Sequence, residues 1–210
     1  MLISQIIVYI WPLMQVVELF LVSFLVWQIS AMPIPVWIAT AFFGVDAEDY
    51  NSKSGWAENK FSFENNRWSI LVFCLELLKG LAAISVLKVV ANSQVIVFGG
   101  IPFEYMLAVI VVLGHSFPIY NEFKRTNSLG AYFGVFTGLW LIPGVIATLI
   151  FLLFWAIRKN VGISSLLMSL GSFVMITFIF IDIKALVIAS VLSSLLIVSI
   201  LPQNLKVVRA

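Results

Sequence analysis

Apolar residues run along this chain in long blocks separated by short polar breaks. The longest block covers roughly residues 5 to 44, more than the 20 or so residues one membrane-spanning helix needs, so something must interrupt it. Pro12, Pro33 and Pro35 are the available breakers. They predict a helix over about 13 to 31, preceded by an interfacial segment and followed by a kinked extension after Pro35. Two spans within the block are the alternative. The one long polar stretch, Asp46 to Arg67, carries five acidic and three basic residues and must lie outside hydrocarbon. Beyond it the pattern predicts spans at about 68–90, 104–120, 128–141, 143–157, 161–181 and 184–201, making seven. The expected fold is an all-α integral membrane protein, one bundle forming a single domain over residues 1–210.

Composition changes this picture only by excluding alternatives. With 62% hydrophobic residues, 10% charged residues and a mean hydropathy of +1.10, the chain is far from a soluble domain, which has roughly 25% charged residues. The net charge of +2 forms no basic stripe, so nucleic acid is not expected as a partner. Cys74, the single cysteine, supports no disulfide and is expected to pack as a small hydrophobe. The opening MLISQIIVYIWPLM has no basic n-region, so the first hydrophobic segment is expected to be retained.

The placing of charge matters more than its sum. With seven spans, Lys53, Lys60, Arg67, Lys124, Arg125, Arg158, Lys159, Lys206 and Arg209 fall on one side, Lys88 and Lys184 on the other. Cytoplasmic loops are enriched in Lys and Arg, so the N-terminus is expected outside and the polar loop at about 46–67 and the C-terminus in the cytoplasm. A site open to cytosolic solutes would form on that face.

Ionisable residues at membrane depth are costly and are the first candidates for chemistry. Glu18, Glu76 and Lys79 qualify. Glu76 and Lys79, three apart on the second span, can neutralise each other or orient a site. Glu18 has no evident partner in sequence. His115, the only histidine, sits at the end of the third span; with no second histidine or nearby cysteine it makes no zinc site, and no metal or cofactor is expected. A general acid, a phosphate ligand and a helix cap remain open to it. Gly130, Gly134 and Gly138 recur every four residues, which predicts close packing of another helix. Trp11, Trp37, Trp68, Trp140 and Trp155, near span ends, are expected as interfacial anchors.

The segment LGHSFPIYNEFKRTNSLGAYFG, residues 113 to 134, resembles the second signature block of the PlsY-type acyl-phosphate:glycerol-3-phosphate acyltransferases, approximately LGHxFPxFxxFKGGKGVATxxG. Leu113, Gly114, His115, Phe117, Pro118, Phe123, Lys124 and Gly134 match without a gap. LVFCLELLKG, residues 71 to 80, is similar to that family's LLxLDxxKG, with Glu76 for the aspartate and Lys79 and Gly80 kept. In the same register NSKSGWAEN, Asn51 to Asn59, falls on GSGNxGATN and keeps Ser52, Ala57 and Asn59. The chain departs where GGKG becomes Arg125, Thr126, Asn127 and Ser128, removing glycines whose amides suit a phosphate. It departs again where HRxN becomes Leu201, Pro202, Gln203 and Asn204.

The resemblance implies a membrane acyltransferase of phospholipid synthesis in the bacterial inner membrane. It would pass an acyl group from acyl phosphate to glycerol 3-phosphate, giving lysophosphatidic acid. It implies His115 and Ser52 as catalytic residues, and Asn59, Lys79, Gly114, Lys124, Arg125 and Asn204 as substrate-binding residues. Two alternatives follow from the departures. One is a non-catalytic homologue acting as a membrane subunit or lipid-binding scaffold, with a membrane protein as partner; the other is an acyltransferase whose acceptor lacks a phosphate.

Overall fold

With few charges to break them, the apolar blocks form helices whose ends are set mainly by proline and glycine. The computed structural model describes residues 2–44, 67–91, 97–98, 101–123, 128–158, 161–180 and 182–200. Among the described residues there are eight α-helices: α1 (Leu2–Ala31), α2 (Ile34–Phe43), α3 (Arg67–Ala91), α4 (Phe103–Ser116), α5 (Leu129–Leu139), α6 (Leu141–Arg158), α7 (Val161–Phe180) and α8 (Ile183–Ile200). A two-residue antiparallel ladder, β1 (Val97–Phe98) with β2 (Ile101–Pro102), closes the turn into α4.

The breaks differ from the expected ones in instructive ways. α1 runs through Pro12, because apolar turns on both sides continue the helix and one lost hydrogen bond does not outweigh them. The chain bends at Met32–Pro33, two residues before Pro35, which instead sits in the first turn of α2 where a missing N–H costs nothing. Gly44 then stops α2 in the left-handed conformation (φ 65°), its N–H bonded to Thr40 O at 3.0 Å. α4 ends at Ser116, short of residue 120, because Pro118 cannot continue it; a single 3-10 turn (Ile119–Asn121) follows. α5 and α6 meet at Trp140.

The tightest packing is between α3 and α5, along the predicted glycine stripe. A methyl group built on Gly80 would lie 2.6 Å from Ala131 O, one on Gly138 would lie 2.8 Å from Ile84 Cβ, and one on Gly134 would collide with the Leu77 carbonyl. The two backbones therefore touch, giving the close van der Waals contact that holds helices together where lipid is as apolar as the side chains. α5 is buried from Leu129 to Phe136, and its rings form the core: Phe133 packs edge-on to Phe151 at 5.1 Å and Phe136 to Trp140 at 5.1 Å. Trp140 is thus a core residue at the α5–α6 junction and not the expected interfacial anchor, because the one-residue connection turns its ring inward onto Tyr105 and Phe136. Trp37 is exposed and Trp155 half-buried against the core; the side chains of Trp11 and Trp68 lie outside the described residues. Cys74, expected to pack, is exposed on α3, because the glycine-facing side of that helix points the other way.

The outer surface is apolar, with Leu149, Leu153 and Ile157 of α6 and Leu166, Leu170 and Phe178 of α7 all exposed. The stretch Gly162–Phe180, 19 residues of mean hydropathy 2.1, is long enough to cross a bilayer. Many of the described hydroxyl groups are met internally. Hydroxyls of Ser85, Ser116, Thr148, Ser172, Thr177, Ser190 and Ser194 donate to carbonyls one turn back on their own helices. Lys88 donates to Leu139 O at 3.2 Å, meeting a terminal carbonyl of α5.

Because Gly134 lies against backbone, Gly134→Ala is expected to destabilise the protein by about 1–3 kcal/mol, as overpacking does. Gly171→Ala, whose new methyl would meet only the flexible tip of Ile150 at 3.2 Å, is expected to be near neutral. Thermal unfolding of both variants in lipid checks this, and equal shifts would contradict the packing.

Candidate functional site

The last turn of α4 carries His115 to the face of α3, where its Nε2 stands 3.4 Å from Glu76 Oε1. Both side chains are almost nine-tenths buried, at 12% exposure or less. Glu76 is nine residues into α3, which starts at Arg67, so the pair lies roughly 14 Å along the helix from its first residue. α5 makes room for it. A methyl on Gly130 would fall 2.7 Å from Glu76 Cβ and 2.8 Å from Glu76 Oε2, so the carboxyl group occupies a notch that only glycine leaves.

Lys79, one turn further along α3, does not close a direct pair with Glu76. Its ammonium donates to Ser30 O and, at 2.7 Å, to Met32 O. The reason is that α1 ends at Ala31 with unmet carbonyls, and an ammonium with three donors satisfies one of these and the Met32 carbonyl of the bend at once. Lys79 therefore fixes the α1–α2 bend. Glu18 lies on the exposed side of α1, away from this cluster.

The turn after α4 is held against α1. A methyl on Gly114 would lie 2.7 Å from Trp27 O, so the two helices meet there at backbone distance, and Ser30 Oγ donates to Val111 O beside it. Tyr120 donates its hydroxyl to Gln28 Oε1 at 3.2 Å, and the Phe123 ring stacks on Trp27 at 5.9 Å and 17°. Glu122 and Phe123 have φ of 53° and 57°, a left-handed pair without glycine, costing of order 1–3 kcal/mol each. These contacts lock the backbone immediately before Lys124. On the far side of the 124–127 segment, Ser128 Oγ donates to Ser199 Oγ at 2.8 Å, and Tyr132 and Ser193 hydroxyls lie 3.2 Å apart. The start of α5 is thereby tied to the last turn of α8, directly before residues 201–204.

Of the residues singled out from sequence, the structure brings His115 to Glu76, sets Gly114 against α1 and turns Lys79 to the α1 carbonyls. Ser52, Asn59, Lys124, Arg125 and Asn204 lie outside the described residues, as does the polar loop up to residue 66. Sequence reasoning missed the Gly130 notch, read there only as part of a packing stripe, and the Ser128–Ser199 tie. The second left no signal in spacing, since 71 residues separate the partners.

Residues 6–209 match the glycerol-3-phosphate acyltransferase family. A glycerol-3-phosphate acyltransferase of Fusobacterium nucleatum is 32% identical over 147 residues, covering 68% of this chain and 70% of that one. One of Macrococcus caseolyticus is 29% identical over 194 residues, covering 92% and 93%. Crystal structures of PlsY (YgiH), an integral membrane glycerol 3-phosphate acyltransferase, share the fold. The glycerol 3-phosphate form has a TM-score of 0.68 at 20% identity over 87% of this chain and 88% of that one; the lysophosphatidic acid form has 0.68 at 18% over 87% of each. By the extent of these matches, this chain belongs to the glycerol-3-phosphate acyltransferase family.

Proposed function

We propose that the protein transfers an acyl group from acyl phosphate to the 1-hydroxyl of glycerol 3-phosphate, forming lysophosphatidic acid and phosphate at the cytoplasmic face of a bacterial plasma membrane. The observation that carries the reading is the His115–Glu76 pair, 3.4 Å apart and recessed at the end of the bundle where α4, α5 and α8 bring the flanks of two signature segments together. In the reaction the hydroxyl oxygen forms a bond to the acyl carbonyl carbon. The carbon–oxygen bond to phosphate breaks, and phosphate leaves with the electron pair. The hydroxyl proton passes to the leaving phosphate with His115 as relay, the work of a positioned acid–base group. Ser52 polarises the reacting groups, and Asn59, Lys124, Arg125 and Asn204 contact phosphate oxygens. Lys79 acts by holding the α1–α2 bend, and Gly114 by letting α4 reach α1. Arg125 to Ser128 and Leu201 to Asn204, standing where the family pattern has GGKG and HRxN, favour a second reading in which the bundle survives as a non-catalytic subunit.

The topology we propose has seven spans, α1 and α3 to α8, with the N-terminus outside and the 46–67 loop in the cytoplasm, from the nine-to-two division of Lys and Arg. On a Cys74→Ser background, a cysteine placed at Ser54 is expected to resist an impermeant thiol reagent in intact cells and to react once they are opened. Labelling in intact cells would invert the topology.

For the reaction, purified protein in lipid is given acyl phosphate and glycerol 3-phosphate and phosphate release is followed. His115→Ala is expected to lower the rate by roughly 10²- to 10⁴-fold. Restoring GGKG with Arg125→Gly, Thr126→Gly, Asn127→Lys and Ser128→Gly is expected to raise it, by returning backbone amides and a cation to the phosphate. No transfer by either the native or the restored protein, both folded, would leave the non-catalytic reading.

A further inference from the structure

Three observations meet at one point of the bundle. The Glu76 carboxyl group contacts His115 Nε2 at 3.4 Å, while Lys79, the cation on the same helix face, is taken by the Ser30 and Met32 carbonyls. The same side chain lies over Gly130, where a single added methyl would stand 2.7 Å from Glu76 Cβ, 2.8 Å from Oε2 and 3.0 Å from the Phe73 carbonyl. And the patterns that residues 71–80 and 113–134 resemble have aspartate at position 76 and alanine at position 130, where this chain has glutamate and glycine. Set beside those patterns, the chain has one methylene more on α3 and one methyl fewer at the facing position on α5. Such paired changes keep the packed volume, and volume-conserving exchanges are the ones that close-packed interiors tolerate best.

We propose that Glu76 and Gly130 are a fitted pair whose role is to position His115. Glu76 is the positioning residue, holding the imidazole by Nε2 so that its plane is set and Nδ1 is the nitrogen turned away from α3. Gly130 provides the notch without which a glutamate at this depth cannot lie in the contact geometry. The pair acts through His115, so its catalytic consequence rests on the reading of His115 given above, while its geometry can be read independently.

His115 is the only histidine, so histidine-selective ¹⁵N labelling of the full chain in lipid gives the signals of one imidazole. Glu76→Gln, which keeps the shape of the side chain, is expected to move the Nε2 resonance and to lower kcat with acyl phosphate and glycerol 3-phosphate by roughly 10- to 100-fold, the cost of a slightly misplaced group, with KM little changed. Gly130→Ala is expected to move the same resonance and lower kcat, although it alters no ionisable group. Adding Glu76→Asp to Gly130→Ala, which takes the carboxyl oxygen off the new methyl while Cβ stays, is expected to restore both part of the way towards the native values. Failure of Gly130→Ala to fold, with recovery in the double variant, would equally support the pair. An Nε2 resonance unmoved by Glu76→Gln, or a double variant no better than Gly130→Ala alone in folding, resonance and rate, would overturn it. If the native chain transfers no acyl group, the proposed reaction falls, and the resonance measurements still decide whether Glu76 and Gly130 set the imidazole.

Discussion

Gly80, Gly130, Gly134 and Gly138 let the backbones of α3 and α5 come together, and the arrangement of the candidate site depends on that approach. In a chain with so little charge, surrounded by apolar surface on α6 and α7, burial of side chains gives helices no reason to prefer one another over lipid. Shape has to do so instead. The stripe on α5 fixes the axial register of α3, and register decides that Glu76, and not a neighbour one turn away, stands level with the end of α4.

From that register the polar groups sort themselves. Glu76 meets His115, Lys79 meets the end of α1, and Lys88 meets the end of α5, so these three ionisable groups of α3 each satisfy a partner on a different helix. At membrane depth an unmet carbonyl or charge costs several kcal/mol, so these contacts are as much conditions for the fold as features of a site. The turn after α4 adds a second constraint: two left-handed residues, Glu122 and Phe123, held by the Trp27 stack, fix the direction in which the chain approaches Lys124. The family membership fits a scaffold of this kind, with a fold shared over 87% of the chain.

Much of this was legible in sequence because it depends on local pattern. The helices from α3 to α8 lie within a few residues of the spans expected from apolar runs, and the glycine stripe announced its packing by spacing alone. The choice of partners was not legible. Glu76 and Lys79, three apart, do act on each other through their charges, as the spacing suggests, but their direct contacts go across the bundle, to His115 and to the end of α1. Trp140 reads as an anchor by its place at a helix end, and only the one-residue turn into α6 makes it core. The Ser128–Ser199 bond joins the ends of two helices that no periodicity relates.

Packing of α3 on α5 delivers the Glu76 carboxyl group to His115, and the distance between the two groups in lipid decides whether it does. In protein labelled with ¹⁵N in its only histidine and ¹³C in glutamate carboxyl groups, solid-state dipolar recoupling should detect one close carboxyl carbon, consistent with the 3.4 Å Nε2–Oε1 contact, and should lose it in Glu76→Gln. An imidazole with no glutamate carboxyl carbon near it, or one that keeps its neighbour after Glu76→Gln, would contradict the claim.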